Sequence, residues 1–199
     1  VWQRTYGGKK IDAARDIAVL GRNQFAVVAR SRSQNSQGDE DIWLLRLNGR
    51  GDVKWERAYG GGGQQWVTGI GRMPDGGMVL VGASGQKRAI RAAAWIIRTD
   101  ADGKVVWQRR FGGEKADGAT GVVVLPDGGL AVSGSISSRG RGDYDGWLIR
   151  LDRRGRLMWD RTFGGSEEDT LFAIVPTGDG GFALAGSTVS SGAGGGDGW

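Results

Sequence analysis

Four side chains recur at one place in the chain: Asp12, Gln65, Asp117 and Asp169, each four residues after a pair of glycines. A second acidic series, Asp41, Asp145 and Asp197, stands two residues before a tryptophan, with Ala93 at the matching place. Carboxylates repeated in this way have two chemical uses. They can pool charge to hold a cation or basic ligand, which would make the Asp12 series a ring and "GDYDG", with Asp143 and Asp145, a loop offering oxygens to calcium. They can instead accept hydrogen bonds from the N–H groups of their own glycine-rich loops, as an Asx-type brace. The brace is the favoured reading, because an Asp present in nearly every unit serves every unit's fold. Gln65 and Ala93 interrupt both uses in the second unit.

Other chemistry is sparse. There is no Cys and no His, which removes thiol nucleophiles, imidazole bases and the usual zinc ligands, and with them most routes to acid–base catalysis near neutral pH. Residues out of register are the better candidates for a specific contact. These are Glu114, Glu167 and Glu168 on loops, and Trp66 and Tyr144 as surfaces on which a sugar ring could stack. Trp66 is the sharper of the two aromatics, since Ala13, Gly118 and Thr170 hold its place elsewhere. The expected ligand-binding set is thus Asp12, Gln65, Trp66, Glu114, Asp117, Tyr144, Glu167, Glu168 and Asp169, with Asp143 and Asp145 for a metal and no catalytic residue assigned. "GGGDG" and "YGGGG" precede no helix and lack the Lys and Ser/Thr of a phosphate loop.

The net charge of +5 raises the question of nucleic acid. Much of the basic charge is periodic, however: Arg4, Arg57, Arg109 and Arg161 follow at steps of 53, 52 and 52. Charges placed once per repeat are spread around an assembly instead of gathered into a phosphate-tracking face, so nucleic acid is disfavoured as a partner. No apolar run approaches the roughly 20 residues that span a bilayer.

The elements that must position these groups come from a repeat. Trp2, Trp55, Trp107 and Trp159 are separated by 53, 52 and 52 residues, and Trp43, Trp95, Trp147 and Trp199 by 52 each time. Each period divides into four short β-branched or aromatic-rich segments; in the third unit they are "GATGVVVL", "GLAVSGSI", "GWLIRL" and "LMWDRTF", which we label a to d. Tight "PDGG" or "GDGG" turns join a to b, and "NGRG", "DADG" or "DRRG" turns join c to d. With 39 glycines clustered at turns and no helical period, the reading is an all-β β-propeller of four-stranded antiparallel blades. The expected boundaries are an outer strand of a preceding blade at 1–8, blades at 9–61, 62–113 and 114–165, and a truncated fourth at 166–199. A fragment of a ring of six to eight blades is expected, with the remaining blades of the same chain as its neighbours. On strand d, Trp159, Arg161 and Phe163 share one face, so the repeated Trp and Arg residues are expected to glue blade to blade. The long d–a and b–c loops fall on one side of the disc, which is the expected binding face.

The c–d hairpin with its closing Trp, as in "RLDRRGRLMW", resembles the tryptophan-docking motif of quinoprotein-type propellers, the pyrroloquinoline-quinone repeat superfamily. The whole unit, W-x-R-x-[FY]-G-G, D-G-G and D-x-W-L-I-R-L-D, is similar to tandem repeats of large secreted or surface-attached bacterial proteins. The resemblance implies a propeller, an extracellular, cell-surface or periplasmic location, and a non-catalytic binding or scaffold module for a protein or glycan ligand. A hydrolase or quinoprotein-like enzyme with a metal at the channel mouth is the alternative. The chain departs from the quinoprotein enzymes in the spacing of Asp152 and Gly155 and in a longer b–c loop, so no quinone site transfers to it; calcium is the one ion its loops suggest.

Overall fold

The computed structural model describes residues 1–34, 39–85 and 91–199. Part of the loop carrying the extra residue of the first repeat, 35–38, lies outside them. The chain is all-β. Strands β1 (Asp12–Gly21), β2 (Gln24–Ser31), β3 (Asp41–Asn48) and β4 (Val53–Tyr59) form blade 1. Blade 2 holds β5 (Gln64–Arg72), β6 (Met78–Gly85), β7 (Ala92–Thr99) and β8 (Val105–Phe111). Blade 3 holds β9 (Gly118–Val124), β10 (Leu130–Ile136), β11 (Asp145–Leu151) and β12 (Leu157–Phe163). Blade 4 holds β13 (Asp169–Pro176), β14 (Phe182–Thr188) and the short β15 (Asp197–Gly198). Within each sheet the strands neighbour one another in chain order, and every pairing is antiparallel, which is the arrangement of propeller-like blades.

Alternating residues send one apolar set to each face of a blade, and successive blades bury these sets against each other. Leu44 and Val28 of blade 1 pack with Leu80, Ile97 and Trp95 of blade 2. Val81 and Ile96 of blade 2 pack with Val132, Ile149 and Trp147 of blade 3, and Leu148 with Ile174 and Leu184 across the last junction. Truncating one of the fully buried leucines to Ala costs about 2–5 kcal/mol, so these layers dominate stability. The arc is open. Ile17 on β1 and Phe172 on β13 are 59% and 56% exposed, although their counterparts within the array, Ile70 and Thr120, contact a neighbouring blade.

Each inner strand carries a bulge at the same place, leaving Arg15, Thr68, Thr120 or Phe172 without a cross-strand partner. The bulge turns this side chain toward the next blade: Thr68 Oγ1 donates to Ala119 O at 2.8 Å and Thr120 Oγ1 to Leu171 O at 2.7 Å. In blade 1, the following residue makes the link, with Ile70 N donating to Asp16 Oδ2 at 2.9 Å.

Residues 1–8, expected as the outer strand of a preceding blade, have no described strand beside them with which to form a ladder. Side chains hold the segment instead: Trp2 Nε1 donates to Gly49 O at 2.7 Å and Tyr6 hydroxyl to Gly51 O at 2.6 Å, over the blade 1 cluster of Trp43, Leu45 and Leu47.

Candidate functional site

The Asp12 series lies at the start of the inner strands, and its carboxylates are turned into their own loops. Asp12 accepts hydrogen bonds from Gly8 N at 2.9 Å and Ser33 Oγ at 2.7 Å, and from Ser31 Oγ. Asp117 accepts from Gly113 N at 2.7 Å, Ser137 N at 2.8 Å, Ser138 N at 3.0 Å and Ser138 Oγ at 2.7 Å. Asp169 accepts from Gly165 N at 2.8 Å and Ser190 Oγ at 2.6 Å. Burial alone would raise the Asp12 carboxyl, but donation by Ser31, Gly8 and Ser33 outweighs it and holds it below its ordinary value. Asp169 is lowered in the same way, with Ser190 and Gly165 offsetting the cost of burial. The serines that complete the braces went unnoticed in the sequence, although Ser138 and Ser190 keep the 52-residue step of Asp117 and Asp169.

The second series braces the b–c loops and meets the first across each blade junction. Asp145 Oδ2 accepts from Arg141 N at 2.9 Å and Gly142 N at 3.2 Å, and Asp197 Oδ2 from Ala193 N at 3.0 Å. The residue before each second-series position passes its carbonyl to the next inner strand: Glu40 O to Gln65 N at 2.9 Å, Ala92 O to Asp117 N and Tyr144 O to Asp169 N, both at 2.8 Å. Asp41 thereby stands opposite Gln65, Ala93 opposite Asp117, and Asp145 opposite Asp169. With its amide nitrogen oriented to donate, Gln65 reaches Asp41 Oδ1 at 2.8 Å and Glu40 O at 2.9 Å. At the two irregularities of the second blade a carboxylate of one series therefore faces a neutral residue of the other. Asp145 and Asp169 are the pair in which both remain, and both are buried beside Gly164. Among the described residues, no group of three or more Asp or Glu side chains is placed to hold a metal ion.

In the Trp–Arg series each arginine lies over its own tryptophan, and two of the tryptophans reach the following blade. Arg57, Arg109 and Arg161 lie over Trp55, Trp107 and Trp159, with the guanidinium carbon 6.0, 5.9 and 5.5 Å from the ring centroids. Trp55 and Trp107 rest on the c–d turn of the following blade, at Gly103 and Gly155. Those glycines have φ of 77° and 73°, and a methyl on either would stand 2.8 or 2.9 Å from the indole. Arg4, at the matching place after Trp2, pairs with Asp52 at 3.4 Å. The c-strand tryptophans Trp95 and Trp147 are buried and capped by Gln108 and Asp160, with Arg110 and Arg139 over their rings.

The out-of-register candidates spread over the long-loop face. Glu114 is exposed and pairs with Arg91 at 3.8 Å; Glu167, Glu168 and Asp143 are exposed as well. Tyr144 and Trp66 are half-buried, so neither presents a fully open stacking surface. Trp66 lies against the strand at Gly85, where an added methyl would sit 3.5 Å from its ring. That point borders a groove of about 390 Å³ lined by Ser84, Gly85, Arg91, Ala93, Arg110 and Gly113. A second groove of about 390 Å³ shares Arg110 and Gly113 with it and continues over Ser138, Arg139 and Trp147. Sequence reasoning missed Arg91, Arg110 and Arg139, which only the loop geometry brings to these grooves. A cavity of about 700 Å³ opens on the opposite, tight-turn face, beside Trp107.

No family model and no curated protein matches the chain. Among solved structures it is similar to a protein of unknown function from Bacteroides caccae, with a TM-score of 0.56 and 13% identity. The match covers 92% of this chain and 56% of the other, so the chain spans a little over half the length of that neighbour. At this identity, the likeness concerns the fold.

Proposed function

We propose that the chain is a non-catalytic binding or scaffold module of a larger, exported bacterial protein, with a glycan or protein ligand engaged on the face of the d–a and b–c loops. The observation that carries the reading is the use of the repeated carboxylates: Asp12 and Asp117 spend both oxygens on their own loops, and Asp169 its Oδ2, while its buried Oδ1 has no partner among the described residues. What the repeat leaves unassigned on that face is a cationic groove bordered by an aromatic ring, namely Arg91, Arg110 and Ser84 beside Trp66. Such a combination suits a polar ligand with an apolar or sugar-ring face. The export component rests on the resemblance of the repeats; in the alternative, a propeller enzyme, the channel-mouth carboxylates would serve with a metal in a site completed by residues outside these 199.

The test is a glycan and peptide array probed with the labelled chain, then with Trp66→Ala and Arg110→Ala. Loss of a reproducible signal in both variants, with the melting temperature retained, supports the loop-face site. A signal that neither variant alters removes it. Calcium belongs to the same proposal through Asp143 and Asp145, and a melting temperature identical with calcium and with chelator removes that component.

A further inference from the structure

The cavity of about 700 Å³ on the tight-turn face lies between blades 2 and 3. Blade 2 contributes Met73, Pro74, Val106, Trp107 and Arg109, and the c–d turn of blade 3 contributes Arg153 and Arg154. Arg98 and Asp75 line it too, held to each other in an ion pair. Among the described residues no carboxylate pairs with Arg109, Arg153 or Arg154. The adjacent arginine pair is peculiar to blade 3: Arg153 and Arg154 stand where blade 2 has Ala101 and Asp102 and blade 1 has Gly49 and Arg50, although the turn keeps its fold through Asp152, which accepts from Arg154 N at 2.8 Å. The turn is fixed against its neighbour by Trp107 Nε1, which donates to Arg153 O at 3.4 Å.

A second cavity of about 270 Å³ shares Met73 and Pro74 with the first. It continues along Val124, Leu125 and Pro126 to Arg72, so the two adjoin at Met73 and Pro74 as a shallow trough between the outer strand β8 and the inner strands β5 and β9. Its floor is apolar, with Val106 58% exposed, and its cations sit at the outer end and, through Arg72, at the inner end.

We propose that this trough binds an extended acidic peptide segment, with apolar side chains on the Met73–Val106 floor and carboxylates on Arg109, Arg153 and Arg154. The elongated shape suits a chain better than a compact anion. The apolar floor suits a peptide better than a nucleic acid or sulfated glycan, whose uniform charge calls for a cationic track along its length. Guanidinium groups supply the paired N–H donors that carboxylates accept. The site goes beyond the loop-face reading, from which it is separated by the thickness of the blades.

The experiment is fluorescence anisotropy of a labelled Glu- and Leu-containing peptide titrated with the whole chain, its Arg153→Ala/Arg154→Ala variant and an Arg50→Ala control. The altered arginines lie on exposed turns, and an unchanged melting temperature verifies folding. Saturable binding weakened about tenfold or more in the double variant, and unchanged in the control, is the expected result. Absence of saturable binding, equal binding by the double variant, or equal binding of polyglutamate or heparin each overturns the proposal. Trp66→Ala and Arg110→Ala leave this binding unchanged, so the two faces succeed or fail separately.

Discussion

Replacing Gln65 with Asp restores the repeat and should nevertheless destabilise the protein. Gln65 is 3% exposed, and its amide nitrogen donates to Asp41 Oδ1 at 2.8 Å and Glu40 O at 2.9 Å. The substitution removes both donors and sets a second carboxylate against Asp41. A hydrogen bond to a charged partner is worth about 1.5–3 kcal/mol and one to a neutral carbonyl about 1 kcal/mol. Two charges roughly 6 Å apart at an effective dielectric constant near 20 would add about 3 kcal/mol of repulsion, which the pair avoids in part by binding a proton. The net expectation is a loss of about 3 kcal/mol near neutral pH, read from urea unfolding followed by tryptophan fluorescence. The pH dependence gives the mechanism. Repulsion raises a folded-state carboxyl above its unfolded value of about 4, so the penalty is small below that value and grows as pH rises through the folded-state value. A loss below about 1 kcal/mol near neutral pH, or one of equal size near pH 4, would refute the like-charge account.

Three further outcomes follow from the same contacts. Gly103→Ala should cost about 2–4 kcal/mol in chemical denaturation, because it combines a strained φ of 77° with a methyl 2.8 Å from the Trp55 ring; Gly180→Ala, at φ 86° with open space around it, should lose only the strain of about 1–2 kcal/mol. Equal losses would show that the indole moves aside. Thr120→Val deletes the 2.7 Å bond to Leu171 O and should lower stability by about 1 kcal/mol, with no change expected if the bulge geometry alone joins the blades. Asp169→Asn should destabilise above about pH 4 and converge with the parent as pH falls, since a depressed carboxyl contributes stability above its unfolded value and loses it on protonation. A pH-independent gap between the two melting curves would contradict the brace.

The blade frame was legible because it rests on local, periodic features. The two Trp series, the "DGG" turns and the apolar alternation each report a strand or a turn, and the strands fall where those segments lie. Gly155 was visible as a turn glycine, but its second duty under Trp107 requires knowing which blade faces which. Residues 1–8 carry the strand pattern and yet have no ladder, because pairing is a property of a neighbour and not of a segment. The brace of the Asp series was anticipated from its repetition, whereas Ser33, Ser138 and Ser190 lie in the loops just after the second strands, more than twenty residues away. The cationic grooves were illegible: Arg91, Arg110 and Arg154 read as solvated surface until the turns bring them around a cavity.

The residues that break the repeat acquire different meanings according to the direction in which they are compared. Along the chain, Gln65 and Ala93 are two lapses of the second unit. Across the junctions, each is a compensation, since Gln65 lies opposite Asp41 and Ala93 opposite Asp117. Two of the three junctions thus set a carboxylate of one series against a neutral residue of the other, the third keeps Asp145 opposite Asp169, and the unit of design is the interface between two blades. Arg153 and Arg154 do not fit that logic. They lie on a turn whose fold is already secured by Asp152 and by Trp107, they are matched by no carboxylate among the described residues, and their counterparts are Ala101 and Asp102 in blade 2 and Gly49 and Arg50 in blade 1, so neither blade repeats the pair. Uncompensated like charges side by side cost stability, if modestly, at an exposed turn. A cationic pair with no carboxylate partner among the described residues, at the mouth of an apolar trough, is better explained by what it recognises than by what it supports.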